Sequence, residues 1–190
     1  MLQLQSRTPE RWLQLVFADF DAFLIDHTLC ERKASAMALS LVAKYPDRDL
    51  ILEPLIALAR EELEHFHTMF KVLAARGLRL PGDAPDEYVN GLRKVLPHHA
   101  ESLLLDRLLV SGVIEARSCE RLQMVTEALE DAQLKQIYLE LVRAEARHHG
   151  LFFRLAHHYY PPELVRDRSL TLLAAEAALV ERLPLRAAVH

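Results

Sequence analysis

Apolar and polar positions along this chain recur every three to four residues, the mark of amphipathic helices. Pro9, after Thr8, suits the first turn of a helix, and nothing in the pattern stops that helix before Tyr45-Pro46. Asp47 to Pro54 reads as a short connection or an irregular first turn. A second helix then runs to about Arg76, with Gly77 as its C′ residue. Gly77 to Pro97 holds Pro81, Gly82, Pro85, Gly91 and Pro97, the densest run of breakers, and predicts a long connection. A short helical piece is expected within it, around Asp86 to Leu96. No proline occurs from His98 to Tyr160, a stretch too long for one helix of a compact domain. A break is therefore expected near Glu130-Asp131, with Asp131 as N-cap. Pro161-Pro162 ends that run, and Leu164 to Leu183 predicts a shorter fifth helix. Four long helices joined by a short, a long and a short connection predict an all-α four-helix bundle. Its long crossover lies between helices 2 and 3, and a C-terminal helix is added to it. With no linker-like stretch, a single domain over residues 1–190 is expected.

Composition excludes several classes. Apolar residues make up 51% and charged residues 26%, enough for a core and against wholesale disorder. Five Gly are too few for an all-β sandwich, and two Cys cannot by themselves ligate an iron–sulfur cluster or scaffold a secreted fold. The N-terminal MLQLQSRTPERW lacks a signal-peptide core, and apolar runs such as Leu170 to Val180 are interrupted by charge. A cytoplasmic protein is expected. The net charge of −4 gives no support to a generic nucleic-acid binder.

What changes the picture is 10 His beside 17 Glu. Chance places about 0.9 Glu-x-x-His pairs in such a chain, and three occur: Glu62/His65, Glu64/His67 and Glu145/His148. The face around Glu62 carries Leu55, Leu58, Ala59, Phe66, Met69 and Leu73, an apolar stripe, and Glu145 shares its stripe with Leu134, Tyr138, Leu141, Phe152 and Leu155. Glu64 and His67 lie among Arg60, Glu61, Thr68 and Lys71, a solvent face. Two further carboxylates interrupt apolar lines: Glu31 between Leu24 and Ala38, and Glu115 between Leu108 and Leu122. Burying a carboxylate costs several kcal/mol unless a cation or proton compensates it. Four of them on inward faces, beside two His, are best explained by bound metal. Spacing is an independent sign. Glu31 and Glu115 are 84 residues apart, and Glu62/Glu145 and His65/His148 are each 83 apart, so a helical hairpin bearing Glu and then Glu-x-x-His occurs twice.

This pattern resembles the ferritin-like carboxylate-bridged di-iron bundles, where one Glu from each of two helices joins Glu-x-x-His from each of the other two. Four carboxylates and two imidazoles suit two iron or manganese ions and are foreign to structural zinc. The resemblance implies that Glu31, Glu62, His65, Glu115, Glu145 and His148 are the metal ligands, and catalytic through the metal. Glu62 and Glu145 would bridge the ions. Glu61 and Asp106 are candidate partners for the second N–H of the ligating histidines, against the reading of plain surface charges. His27 and His149 near the seam read as satisfied core or rim histidines, and His98-His99 and His157-His158 as helix-end residues. Cys30 and Cys119 read as structural thiols.

Longer words narrow the family. LQSRTPERWLQ, CERKAS around Glu31, AREELEHF around Glu62 and His65, SGVIEARSCERL around Glu115 and AEARHHGLFF around Glu145 and His148 are similar to the bacterial tRNA hydroxylases acting on methylthio-isopentenyl-adenosine. The similarity covers nearly the whole chain, with no departure at the six positions. It implies an O₂-dependent monooxygenase with two iron ions that hydroxylates the isopentenyl group of the modified adenosine next to the tRNA anticodon. The chain carries no G-x-G-x-x-G nucleotide motif and no ferredoxin cysteines, so electrons must come from a separate reductase. Arg76 and Arg79, Arg93 and Lys94, and Arg166 and Arg168 are candidate basic rims for tRNA. The alternative is a ferritin-like iron-handling or peroxide-scavenging protein without an organic substrate. The oligomeric state stays open, with a monomer among the options.

Overall fold

The computed structural model describes residues 4–95 and 103–190, so His98, His99 and Pro97 lie outside the described residues. Those residues form seven helices and no strand, in the order α1 (Glu10–Ala18), α2 (Phe20–Lys44), α3 (Asp49–Ala75), α4 (Glu87–Val95), α5 (Leu103–Ala128), α6 (Ala132–Tyr159) and α7 (Pro162–Arg182). The all-α class is as expected. Among the described residues, no helix is long and apolar enough to cross a membrane.

The helices sort into two compact units. One comprises Arg11–Ala84 with Arg186–Val189 and is built on the α2–α3 hairpin. The expected continuous first helix is interrupted once, because Asp19 adopts φ −140° and its carboxylate accepts the Ala22 N–H, capping α2. Asp19 N still donates to Leu15 O at 3.2 Å, so the interruption is a single residue wide. α3 begins at Asp49 and absorbs Pro54, placing the helix start earlier than the pattern after Pro54 implied. A proline this near the start removes only one interior hydrogen bond, which tertiary packing of Ile51 and Leu55 outweighs. Gly77 ends α3 as expected. It takes φ +73°, while Leu78 N donates to Leu73 O and Gly77 N to Ala74 O, each at 3.0 Å, a Schellman closure that favours glycine. The start of the long connection is held on α2, where Arg32 pairs with Asp83 and Lys33 Nζ donates to Ala84 O. Trp12 is buried edge-on against Phe23, and its Nε1 donates to Ala188 O at 3.1 Å.

The other unit comprises the described residues of Met1–Glu10 and Pro85–Leu185, with His190. It is built on the α5–α6 hairpin, with α4 and α7 packed on each other and on α5. Asp131 accepts from Gln133 N and Leu134 N at 2.9 and 3.0 Å, the N-cap expected at the α5–α6 break. Asp86 does the same for α4 through Val89 N, and Pro162 opens α7 at its first turn. The core of this unit contains an ionic network. Arg117 is fully buried and uses all five donors: Nε and Nη2 on Glu176 at 2.9 and 3.0 Å, Nη2 on Ser6 O at 2.8 Å, and Nη1 on Thr8 Oγ1 and Glu120. Tyr88 Oη donates to Glu176 at 3.0 Å, so the N-terminal segment, α4, α5 and α7 meet at one guanidinium.

Candidate metal centre

In the first hairpin Glu31 comes from α2 and Glu62 and His65 from α3, three residues apart and hence on one helical face. Glu31 is 4% exposed and Glu62 1%, each inside an otherwise apolar stripe. One ligand atom from each of the three lies within 4.8 Å of the other two. His65 Nδ1 points between the carboxylates, 3.3 Å from Glu62 Oε2 and 3.6 Å from Glu31 Oε2. Without an ion, the proton on Nδ1 stands where a cation would bring the same atoms together. His27, one turn before Glu31 and equally buried, donates from Nε2 to Glu31 Oε1 at 2.6 Å. Ser35, one turn beyond, donates to Ala59 O at 2.7 Å and ties α2 to α3 next to the site. Burial pushes the Glu31 carboxyl up, but hydrogen bonds from His27 and His65 outweigh it and hold the group well below the usual carboxylate range. Burial likewise lowers His65, yet bonds to Glu31 and Glu62 and their charges carry it up to about 10.

In the second hairpin Glu115 comes from α5 and Glu145 and His148 from α6, all three at most 4% exposed. One ligand atom from each again lies within 4.8 Å of the others. His149 points elsewhere, its Nδ1 donating to Gly112 O at 2.7 Å, the satisfied core histidine expected. Gly112 lets the helices approach: a Cβ there would meet Phe153 Cε2 at 2.8 Å and Phe152 Cβ at 3.3 Å. Each hairpin thus offers two buried carboxylates and one imidazole within reach of one ion. Such an oxygen-rich set, costly to bury without a cation, fits iron or manganese.

The remaining candidates separate cleanly. Glu64 and His67 are exposed, as are His157 and His158. Cys30 and Cys119 are free and half-buried, Cys30 Sγ facing Asp26 at 3.8 Å and Cys119 Sγ donating to Val142 O at 3.7 Å. Burial, then the charges of Glu115 and Glu120, push the Cys119 thiol up, which suits a structural rather than a reactive thiol. Asp106 corrects the surface reading: it is buried and paired with Arg168 at 3.2 Å. Arg76 is likewise engaged, with Asp21 at 2.6 Å, and Arg166 pairs with its neighbour Asp167 at 2.9 Å, whereas Arg79, Arg93 and Lys94 are exposed. Sequence reasoning passed over the His27–Glu31 bond, although the i, i+4 spacing carried the signal. It also passed over Arg117, which only its pairing with the distant Glu176 makes intelligible.

Comparisons with known proteins identify the family and the fold. The family model of MiaE, described as tRNA-(MS[2]IO[6]A)-hydroxylase, matches residues 1–190. A tRNA 2-(methylsulfanyl)-N(6)-isopentenyladenosine(37) hydroxylase of Pseudomonas putida is 40% identical, covering 92% of this chain and 84% of its own. The enzyme of the same description from Salmonella typhimurium is 28% identical over 80% of this chain and 74% of its own. Among solved structures, protein 43 with aldehyde deformylating oxygenase activity from Synechococcus superposes with a TM-score of 0.92 at 36% identity, over 98% of this chain and 93% of that one. That likeness bears out the ferritin-like fold class.

Proposed function

This chain belongs to the MiaE family and is a tRNA hydroxylase of methylthio-isopentenyl-adenosine; for its centre we propose that Glu31, Glu62, His65, Glu115, Glu145 and His148 together hold two iron ions within a single domain spanning residues 1–190. The observation that carries this reading is the duplication: two hairpins each close the same buried set of two carboxylates and one imidazole. Each hairpin would contribute three donors to the pair of ions. Four carboxylates balance the charge of two divalent ions, which is why a set too repulsive to bury by itself is stable when loaded.

When bound, two reduced irons would supply two electrons toward splitting O₂, giving the oxidising power that an allylic C–H bond requires. The overall change is R–H + O₂ + 2 e⁻ + 2 H⁺ → R–OH + H₂O. The protein's own part is to position and to exclude water. His27 orients Glu31 through its hydrogen bond, and Ser35 holds α2 on α3 beside it. The apolar stripes around Glu62 and Glu145 keep water from the donors and suit an apolar isopentenyl group. The polar nucleoside, next to the anticodon, would stay outside that apolar surround, and exposed Arg79, Arg93 and Lys94 are candidate contacts for tRNA phosphates. The two cysteines are too few for an electron-transfer cluster, so a separate reductase delivers the electrons, in the cytoplasm where tRNA is modified.

The decisive experiment is anaerobic reduction of the iron-loaded enzyme, then exposure to ¹⁸O₂ with substrate tRNA, read by nucleoside mass spectrometry. One ¹⁸O atom in the isopentenyl group is the expected result. Unmodified adenosine together with iron oxidation would instead favour the iron-handling reading.

A further inference from the structure

Helix α3 carries two apolar seams, and its hairpin uses one. Ile51, Leu55, Leu58, Met69 and Leu73 are buried within the unit. The second seam, one residue further round the helix, is Ile56, Leu63 and Phe70, flanked by the half-buried Leu52 and Phe66, while Ala59 belongs to the hairpin core. Its open members recur every seven residues, the heptad spacing of a helix made to pack against another helix. Three of its large residues, each seven apart, lie open: Ile56 is 39% exposed, Leu63 54% and Phe70 43%. Single exposed leucines are ordinary, but three large apolar side chains in line along about four turns of one helix are not.

We propose that this seam docks a second copy of the chain, antiparallel, about a two-fold axis near Leu63. The charges beside the seam select that occupant. Its solvent flank carries Glu53, Arg60, Glu64 and Lys71, all exposed and alternating in sign. Setting Ile56 opposite Phe70 and Leu63 opposite Leu63 of the second copy brings Glu53 level with Lys71 and Arg60 level with Glu64, to within two residues. Each pair occurs twice by symmetry. A two-fold axis normal to the two helices keeps both charged flanks on one side, where these pairs can form. The two Glu64 side chains come near the axis, and the two Arg60 guanidinium groups neutralise them. A parallel copy would instead set like residue beside like at every level. The paired stretch is about 22 Å long at 1.5 Å per residue. Leu63 and Phe66 flank Glu62 and His65 in sequence, so the contact would also stiffen the helix that bears two proposed ligands.

Sedimentation of the full iron-loaded chain at micromolar concentration tests this. The expected mass is twice 21.8 kDa. Leu63→Lys should raise the dimer dissociation constant more than about a hundredfold, since the residue is lost twice at the centre of the contact, with circular dichroism unchanged. Arg60→Glu should weaken the dimer about tenfold, and Arg60→Glu with Glu64→Arg should restore it. Orientation is read by oxidation. A mixture of Glu53→Cys and Lys71→Cys proteins should cross-link to each other, and neither to itself. A monomeric wild type, a Leu63→Lys variant that stays dimeric, a charge reversal without rescue, or self-linking of Glu53→Cys would each overturn the proposal.

Discussion

The two helical hairpins offer the same donors at matching places and support them by different means. One turn before Glu31 stands His27, bonded to its carboxylate at 2.6 Å. One turn before Glu115 stands Ser111, whose hydroxyl instead donates to Arg107 O at 2.9 Å. Where the first hairpin has Thr28, the second, 84 residues on, has Gly112, at which a Cβ would meet Phe153 Cε2 at 2.8 Å. Burial differs as well: 16 of the 26 residues of α5 are buried against 9 of 25 in α2, so α5 is a core helix and α2 has an open side. Two residues beyond Glu115 the guanidinium of Arg117 anchors α5 in its ionic network. The lesson is that the proposed metal would dictate which donors stand at the centre, not how they are held. A side-chain hydrogen bond does this in one half, a rigid packed helix in the other.

That contrast can be broken experimentally. Glu115→Ala should abolish turnover and lower iron below two per chain while helicity persists; full iron occupancy by elemental analysis would remove Glu115 from the centre. Arg117→Met strands Glu176 in the core and should cost about 3–5 kcal/mol in chemical denaturation, with a recovery when Glu176→Leu is added. Nothing comparable is expected for Arg76→Met in the first unit, whose partner Asp21 is half exposed. The iron-free protein carries a pH signature in its first half. His65 is raised from 6.5 to about 10, so its contribution to stability is full below pH 6.5 and is lost as pH rises toward 10. Thermal melts of apo protein should decline across that window, and His65→Gln should flatten the decline; an unchanged slope in that variant would assign it elsewhere. His27→Ala should reduce iron affinity or turnover about 10–100-fold, whereas Ser111→Ala should change either by less than about threefold. At the small end, His67→Ala, in the third and exposed Glu-x-x-His pair, should leave iron content and turnover as they are.

Much of this molecule was legible in its sequence, for identifiable reasons. Gly77, Asp131 and Pro161-Pro162 act through their own backbone chemistry, so the ends of α3, the start of α6 and the start of α7 fall where those residues say. Glu31, Glu62, Glu115 and Glu145 stood out because a carboxylate in an apolar stripe contradicts the stripe, and all four are buried. Glu64 and His67 were set aside by the same logic and are exposed. Asp19 was passed over because a one-residue break leaves the periodicity on both sides intact, and Pro54 because packing of α3 overrides local propensity.

What sequence determined by itself, then, is everything that period and backbone constraint express: the helices, their ends, and which polar residues lie on inward faces. Only the tertiary structure decided which of those residues meet. Arg117 with Glu176, Asp106 with Arg168, and His149 with the carbonyl of Gly112 are pairs 59, 62 and 37 residues apart. Whether a buried charge finds its counter-charge depends on how helices cross, and crossing is settled by the packing of whole faces, which no local pattern along the chain encodes.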